Sequence, residues 1–464
     1  MSQIQATPSW RELAATGQLA KFTLLCLGVW LHAADSLLAA TVMPAAVAEI
    51  GGVVFINWAL ALYQLGSILA AAATGAVTAR LGLRAGLTLA ASLYALGCIA
   101  SATAPGIGVM LSGRLLQGLG GGGMMALVYV ALHEIFPERL WPRLMVIVST
   151  IWGCSALCGP LVGGLFAEAG LWRWAFWAFA GQAAILIVAA GFLPGRRTAP
   201  GGGGAPGPLL LLVLGTIGIA SAGATVGTGW PVLLGVGGLG LLYAFARLDR
   251  RQIHRLLPVE TLDLRHPVGA GLLMVLALSA ATTPFGTYGP LLLGMLFGVG
   301  PLAAGYLVAV EAIAWTLASI ATASVAASTE ARLIRWGAAL IALGGLGYVA
   351  AVPAGSMAGI LACLVAQGAG FGMAWVYMVK RIVAAAPAAE RGFAAGSVST
   401  VQMIGYAAGA SGSGIAANAA GLAAGATPAA GHAAALWLFA AFVPLGLLGA
   451  VAARRLVDRF RVDD

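Results

Sequence analysis

Four polar side chains lie deep inside stretches of sequence that are otherwise apolar: His32, Asp35, Arg114 and Glu311. A charge at membrane depth is costly and is retained mainly where it faces an internal cavity or a partner. A buried carboxylate can alternate between a proton and a cationic ligand, because burial favours its neutral form and water or a cation restores its charge. These residue types therefore predict a proton-exchanging interior around Asp35 and Glu311.

His32 and Asp35 are three residues apart, which puts both on one face of a helix. At that spacing an imidazole either hands a proton to the carboxylate or holds it by a hydrogen bond. A structural histidine in the core is an equal alternative. Arg114 has the two-pronged guanidinium that also suits an anionic substrate.

Composition restricts the class of protein that can hold these residues. Of the 464 residues, 61% are hydrophobic and 8% are charged, so the chain lacks the polar side chains that cover a soluble globule. This indicates a polytopic membrane protein. The five cysteines all lie in apolar stretches, so neither a disulfide framework nor a zinc site is indicated, and we expect no metal and no cofactor.

Fourteen stretches are long enough to cross a bilayer, at about 20 apolar residues a span. The predicted spans are 22–44, 53–79, 85–104, 108–136, 144–168, 174–193, 208–227, 231–247, 267–295, 300–327, 332–353, 357–379, 392–421 and 431–453. With a cytoplasmic N-terminus, 22 of the 24 basic residues fall on the cytoplasmic side, as the positive-inside rule requires. Arg173 lies on the other side, and Arg114 lies within a span.

This topology predicts a multi-pass protein of the cell inner (plasma) membrane with both termini in the cytoplasm. The net charge of +9 then reflects the topology and contact with anionic membrane lipids, and we expect no nucleic-acid partner.

Two polar segments divide the chain into three parts. A stretch rich in glycine and proline runs from Pro194 to Pro208, and a second polar segment runs from Arg247 to Pro267. The predicted parts are residues 1–193, an N-terminal six-helix bundle; residues 194–266, a linker, an inserted helix pair and a cytoplasmic segment; and residues 267–464, a C-terminal six-helix bundle with a cytoplasmic tail.

A short repeat relates the two bundles. The run of six residues from Gln117, with four glycines, recurs from Gln367 with three, and Val148-Ser-Thr recurs as Val398-Ser-Thr, both 250 residues later. Two related halves build a midplane site for alternating access, although glycine runs also simply let helices pack closely. The predicted fold is an all-α integral membrane protein with fourteen transmembrane helices as 6+2+6, in which two pseudo-symmetric six-helix bundles surround a central cavity.

Several ordered motifs resemble those of the major facilitator superfamily. The signature of its fourth helix is similar to Leu111, Arg114, Gln117, Gly118 and Gly120. The start of its drug:proton antiporter branches resembles Asp35, Pro44, Trp58 and Tyr63. Its antiporter signature and the motif that follows look like Gly159, Pro160, Gly163 and Gly164, then Trp172, Arg173, Trp174 and Phe176.

The later part of the chain resembles the fourteen-helix branch of the same family. The similar residues are Leu257, Pro258, Asp263, Leu264 and Arg265, then Tyr288, Pro290, Phe297, Pro301 and Gly305. The resemblance covers most of the chain and implies the fold, but it says much less about the substrate.

The resemblance also assigns residues to the movement between states. The conformational motif residues that it implies are Gly75, Arg80, Gly82, Arg84, Gly118, Gly159, Pro160, Gly163 and Gly164. The family usually carries an acid that latches the halves on the cytoplasmic side, and here Ala79 stands in its place. Ser155 replaces a usual glycine, and Leu364 stands where Arg114 would recur in the second half.

The resemblance implies proton coupling through Asp35, Arg114, Glu311 and His32. In the family the arginine of the fourth helix acts on a neighbouring carboxylate, and we favour this role over binding of an anionic substrate. Glu311 stands where the family usually has an uncharged residue. It is therefore either a proton or substrate site particular to this protein or the pairing partner of Arg114, and we favour the first.

Neutral polar side chains complete the predicted substrate cavity: Tyr63, Gln64, Gln117, Tyr288 and Gln402. Taken singly, each of them is better suited to a hydrogen bond between helices. Trp58 and Trp375 either form an aromatic wall or anchor the protein at the membrane interface. The sequence thus predicts a monomeric, proton-coupled secondary active transporter that exports amphipathic small molecules or drugs by alternating access. The alternatives are a lipid or anionic-metabolite carrier of the same fold and a membrane-embedded enzyme; we expect no enzymatic activity, because no catalytic set converges.

Overall fold

The computed structural model describes residues 18–136, 141–193, 206–225, 229–252, 255–323, 325–387, 391–422 and 427–458. Over these ranges the chain is helical and contains no strand. Residues 194–205 of the predicted linker Pro194–Pro208 and both chain ends lie outside the described residues, and the last three linker residues already belong to a helix that begins at Pro206.

The α-helices of the described ranges are named here in chain order. They are α1 (Gln18–Ile50), α2 (Ile56–Ala102), α3 (Ile107–Ile135), α4 (Trp141–Glu168), α5 (Trp172–Ala189), α6 (Pro206–Ala224), α7 (Gly229–Asp249), α8 (Pro267–Phe297), α9 (Pro301–Thr322), α10 (Ala327–Ala351), α11 (Met357–Ala385), α12 (Arg391–Ala419), α13 (Pro428–Ala440) and α14 (Val443–Asp458). Short 3-10 helices lie at Val53–Phe55, Ala190–Phe192 and Val259–Leu262.

The helices match the predicted spans closely. Within the described residues, twelve segments are long and apolar enough to cross a membrane. The other two predicted spans, 208–227 and 392–421, lie on α6, whose apolar core Gly207–Gly223 is shorter, and on α12. The all-α membrane fold predicted from the sequence is confirmed. One boundary differs by several residues, since the span predicted at 300–327 ends at Thr322 and α10 already begins at Ala327.

The connection between the second and third spans is a sharp bend rather than a loop. α2 runs through both spans, and Gly82 interrupts its helical geometry with φ 78° and ψ 170°. Only glycine adopts this backbone conformation without strain, because it has no Cβ. The glycine of the predicted conformational motif therefore forms the turn between the two spans.

The helices pack in two groups with a pair beside them. α1 to α5 contact one another, as do α8 to α14, while α6 packs on α7 and also against α2 and α12. α8 is the most enclosed helix of the C-terminal group. We call the end that carries Arg84, Arg250, Arg335 and Arg454 the basic end, and the end near Gly51, Leu171 and Gly300 the opposite end.

The two groups meet closely at the opposite end through α4 and α9. A Cβ on Gly305 would lie 2.5 Å from the Pro160 carbonyl oxygen, and one on Gly164 would lie 2.9 Å from the Leu302 Cα. Further along the same pair, a Cβ on Gly153 would reach only a side-chain oxygen, at 3.6 Å. The helices thus touch backbone to backbone at the opposite end and separate toward the middle.

α6 bridges the second contact between the groups. The indole N–H of Trp58, on α2, donates to the Ala220 carbonyl oxygen over 2.7 Å, and the amide of Asn418, on α12, donates to the Gly223 carbonyl. Asn57 is fully buried beside this contact, and neither its amide nitrogen nor its amide oxygen has a hydrogen-bond partner in the described structure. The last turn of α6 therefore binds one residue from each group.

Candidate functional site

Asp35 and Arg114 form a buried ion pair between α1 and α3. Arg114 Nη1 donates to Asp35 Oδ1 over 2.8 Å, and both side chains have no exposed surface. Charges taken out of water are stable together only if they remain paired, and removing one partner of such a pair costs about 3–5 kcal/mol. The structure therefore joins two of the predicted proton-coupling residues directly.

The rest of the Arg114 guanidinium is held by neutral neighbours. Nη1 also donates to Gln117 Oε1 over 3.1 Å, and Nε donates to the Ala59 carbonyl oxygen over 3.4 Å. The Cζ atom lies 4.5 Å from the centre of the Tyr63 ring, within the range of a cation–π interaction. Arg114 is thus enclosed by protein groups and is not open to an anionic substrate in this state.

Gln117 is part of this support and is not an exposed cavity residue here. Its side chain is fully buried; Ser101 Oγ donates to its Oε1 over 3.2 Å, and its Nε2 contacts Cys98 Sγ at 3.1 Å. Sequence reasoning missed Cys98 and Ser101. Their spacing of three residues on one helix face, facing the fourth span, is the signal that would have found them.

His32 and Tyr63 form a second contact beside the ion pair. The Tyr63 hydroxyl donates to the His32 carbonyl oxygen over 3.0 Å and lies 3.0 Å from His32 Nδ1. A phenol has one proton and a carbonyl only accepts, so Nδ1 is the donor in the second contact. Within the described residues the His32 ring bonds Tyr63 and not Asp35, so the predicted direct bond between His32 and Asp35 is absent in this state.

The glycine run explains how these side chains approach one another. A Cβ on Gly118 or Gly122 would collide with the backbone of α2 at Tyr63 and Ser67, and one on Gly121 would lie 2.8 Å from both His32 Nδ1 and the Tyr63 hydroxyl. Glycine is required where helices approach this closely. The run therefore serves packing, and one of its members also makes room for the imidazole.

The ion pair keeps unused hydrogen-bonding capacity. Asp35 Oδ2 and Arg114 Nη2 are both buried and form no hydrogen bond of normal geometry in the described structure. The Tyr94 hydroxyl, which donates to the Leu31 carbonyl oxygen over 3.3 Å, also interacts with the Asp35 carboxylate. A buried polar atom without a hydrogen bond calls for a functional or structural explanation. Asp35 Oδ2 is the atom that can accept a proton without first displacing Arg114.

The second glycine run packs in the same way and locates the equivalent site among the C-terminal helices. A Cβ on Gly368 would collide with the Glu311 carbonyl, as one on Gly118 would with the Tyr63 carbonyl. A Cβ on Gly372 would likewise collide with the Trp315 backbone, as one on Gly122 would with the Ser67 backbone. The contacts make Glu311 the structural counterpart of Tyr63.

Glu311 occupies a different environment from Asp35. It is half-buried on α9 and forms no ion pair or side-chain hydrogen bond with any residue that the structure describes. Nearby, Gln402 Nε2 donates to the Tyr406 hydroxyl over 3.2 Å. The alternative that Glu311 pairs with Arg114 is wrong, because Arg114 pairs with Asp35.

The remaining cavity candidates are more buried than expected. Gln64 is 7% exposed, and Tyr288 is fully buried with no partner for its hydroxyl in the described structure. Trp375 is half-buried on α11, and its ring lies 5.8 Å from that of Trp315, which itself stacks on Phe371 at 4.8 Å. Trp315 lies one helical turn beyond Glu311 on α9, so these contacts favour the wall over the interface anchor for Trp375.

The predicted conformational residues fall into three places. On α4, Gly159 and Gly163 meet the backbone of α1 at Ala34 and Leu38, while Pro160 and Gly164 meet α9. Gly118 lies on α3 against Tyr63. The remaining four lie on α2, where Arg80 and Arg84 are exposed on either side of Gly82 and Gly75 is within the helix. The side chain of Ala79 lies outside the described residues.

Family comparison agrees with this geometry. The fold and the buried ion pair define the class: a multi-pass, all-α secondary transporter. The model of the Major Facilitator Superfamily matches residues 25–410. The chain therefore belongs to the major facilitator superfamily, as its motifs indicate.

The relatives refine this result. A probable multidrug-efflux transporter of Mycobacterium tuberculosis is 31% identical over 98% of this chain and 98% of its own length. Among solved structures, a D-xylose–proton symporter matches with a TM-score of 0.65, 16% identity and coverage of 94% and 97% of the two chains. An auto-inhibited peptide transporter of the POT family matches with a TM-score of 0.67, 15% identity and coverage of 96% and 98%. The two structures show the fold alone.

Proposed function

We propose that the protein exports amphipathic small molecules or drugs in exchange for protons, by alternating access. The observation that carries this proposal is the buried pair of Asp35 and Arg114, in which Arg114 binds only one of the two carboxylate oxygens. Protonation of that oxygen removes the negative charge and leaves Arg114 unpaired. The cost of about 3–5 kcal/mol for a broken buried pair is comparable with the roughly 5.5 kcal/mol that takes a two-state population from 1:99 to 99:1.

The moving bodies in this proposal are residues 1–193 and 267–464, with residues 194–266 between them. Contact at the opposite end, through Pro160 and Gly305 and through the last turn of α6, supports a state that is closed there. Placing the basic end in the cytoplasm, as the positive-inside rule favours, makes this a state that takes up substrate from the cell.

Proton coupling is favoured over transport of an anionic metabolite by one observation. Arg114, the one buried cation of the described spans, is already enclosed by Asp35, Gln117 and Tyr63. The relative from Mycobacterium tuberculosis, a probable multidrug-efflux transporter, supports the proposed substrate class. Glu311, unpaired and half-buried, is the proposed second acid, suited to a cationic substrate or a second proton.

The test is substrate-dependent proton movement in proteoliposomes with an imposed pH gradient. We expect an amphipathic dye such as ethidium to drive proton release through the wild-type protein, and Asp35→Asn with Glu311→Gln to abolish it. Proton release that persists in the double variant overturns the coupling proposal. Transport that persists without any proton movement leaves a carrier of another kind, and a chemically altered product would establish an enzyme.

A further inference from the structure

The inserted helix pair ends in an arginine-rich cavity that the transport site does not use. The cavity has a volume of about 720 Å³ and lies at the basic end, between α6, the end of α7 and the 3-10 helix that follows. We call it the arginine cavity. The residues that line it include Arg247, Arg250, Arg251, Leu211, Leu248 and Val259. It therefore combines three cations with an apolar wall.

The acid within this run does not neutralise the three arginines. Asp249 is 1% exposed, and its carboxylate accepts the backbone N–H of Leu256 over 3.0 Å and of Leu257 over 2.8 Å. These bonds fold the following segment back over the helix end. Within the part of the chain that the structure describes, Arg247, Arg250 and Arg251 form no ion pair.

The guanidinium of Arg247 is already oriented. Its Nε donates to the Tyr243 hydroxyl over 3.0 Å, and its Cζ lies 5.4 Å from the centre of the same ring. The two Nη groups remain available as paired donors, the geometry that binds phosphate oxygens two at a time. This contact orients the guanidinium in the structure.

Exposed leucines also lie on the two helices that line the cavity. Leu210 and Leu214 of α6 are 57% and 44% exposed, and Leu239 of α7 is 59% exposed. α7 is the least enclosed of the candidate membrane spans in the described structure. A ligand with an anionic head at the arginines and an alkyl chain along these leucines would satisfy both parts of the site.

We propose that the arginine cavity binds the headgroup of an anionic phospholipid, with an acyl chain along α6 and α7. The three charges lie where α7 reaches the membrane surface, the depth at which basic pockets between membrane helices take anionic headgroups. A free phosphate would use the arginines but leave the apolar wall without a role. The bound lipid would tie the inserted pair to one leaflet of the bilayer.

The test uses the full-length protein in nanodiscs of phosphatidylcholine with a small fraction of phosphatidylglycerol, read by the phosphatidylglycerol retained in native mass spectrometry. The triple change R247Q, R250Q and R251Q is expected to lower retention by about fivefold for each arginine removed. The matched control is the triple change R391Q, R454Q and R455Q, which removes the same charge from exposed arginines at the same end.

Each outcome decides the proposal. The site is supported if only the variant with R247Q, R250Q and R251Q loses bound phosphatidylglycerol and its melting temperature in pure phosphatidylcholine is unchanged. Equal loss in both triples shows a nonspecific charge effect and overturns it. Displacement of the lipid by millimolar inorganic phosphate points to a free anion and overturns it as well. Leu248→Ser keeps all three charges, so unchanged retention in that variant would contradict the acyl-chain contact.

Discussion

The two glycine runs, at Gly118 and Gly368, pack their helices alike but surround different chemistry. Among the N-terminal helices the run holds Tyr63 against Arg114, which is paired with Asp35. Among the C-terminal helices the same packing holds Glu311, and Leu364 stands where Arg114 would recur. One scaffold thus carries a closed, charge-balanced site and an acid without a partner in the described structure. The comparison teaches that the repeat conserves helix contacts and leaves the polar residues free to differ.

The largest effect is expected from Asp35→Asn. The neutral amide cannot bind and release a proton, so we expect proton-coupled transport to fall by about a hundredfold or more, the range of a proton-transfer group. Dye efflux driven by a pH gradient in proteoliposomes measures it. Asp35→Glu keeps an acid and should retain part of the activity; full activity in Asp35→Asn would remove the N-terminal site from the coupling step.

Replacing Arg114 by leucine, the residue that stands at the equivalent position 364 of the C-terminal helices, tests the charge balance of the N-terminal site. Arg114→Leu leaves Asp35 buried without its partner, and we expect a loss of folding stability of about 3–5 kcal/mol. Tryptophan fluorescence during thermal unfolding in detergent measures this loss. The double variant Asp35→Asn with Arg114→Leu removes both charges and should recover much of the stability, since paired residues are not additive. If the loss of stability in the double variant equals the sum of the losses in the two single variants, the two charges act separately.

The reverse test concerns the unpaired acid. Glu311→Gln should lower transport of a cationic dye by about tenfold, the value of a charge-assisted contact, without loss of stability. Transport of a neutral amphipathic substrate is the control, because it lacks the charge that the carboxylate would recognise. A melting temperature that falls as far as in Arg114→Leu would mean that Glu311 has a structural partner after all.

A smaller effect is expected from Tyr63→Phe. The ring stays below Arg114, while the hydroxyl contact with His32 is lost, so we expect transport to fall by about fivefold, as for one strong hydrogen bond inside a membrane protein. His32→Gln should have a similar effect, and the double variant should be no worse than either single one. Additive losses would place His32 and Tyr63 in separate functions.

The smallest effect concerns the contact between the two groups. Trp58→Phe removes the hydrogen bond to Ala220 and keeps an aromatic ring, so it should favour opening at the opposite end by about two- to threefold. Modification of a cysteine introduced at Ala61, in the variant and in its matched Trp58 background, reports that opening. Faster modification is the expected result, and slower modification would contradict it.

The sequence predicted the helices well because the bilayer imposes a simple rule on length and hydropathy. It also selected Asp35 and Arg114, since charges stand out against an apolar background. It did not predict that Gln117 would be used up in holding Arg114, or that His32 would bond Tyr63 instead of Asp35. Those partners depend on how three helices rotate against one another, and the glycine run alone does not fix this. The sequence predicted a connection between 79 and 85, but not that the single residue Gly82 makes the turn, because hydropathy does not report backbone angles.

The bond of α6 to both groups limits the way in which the protein can change shape. Trp58 and Asn418 bind carbonyls only three residues apart, at Ala220 and Gly223, so the two groups and α6 form a joint of three bodies. When the groups separate there, α6 can follow one of them and must detach from the other. In the proposed alternating-access cycle, opening at this end is therefore stepwise, and the hydrogen bond that breaks first decides which group carries the inserted pair along.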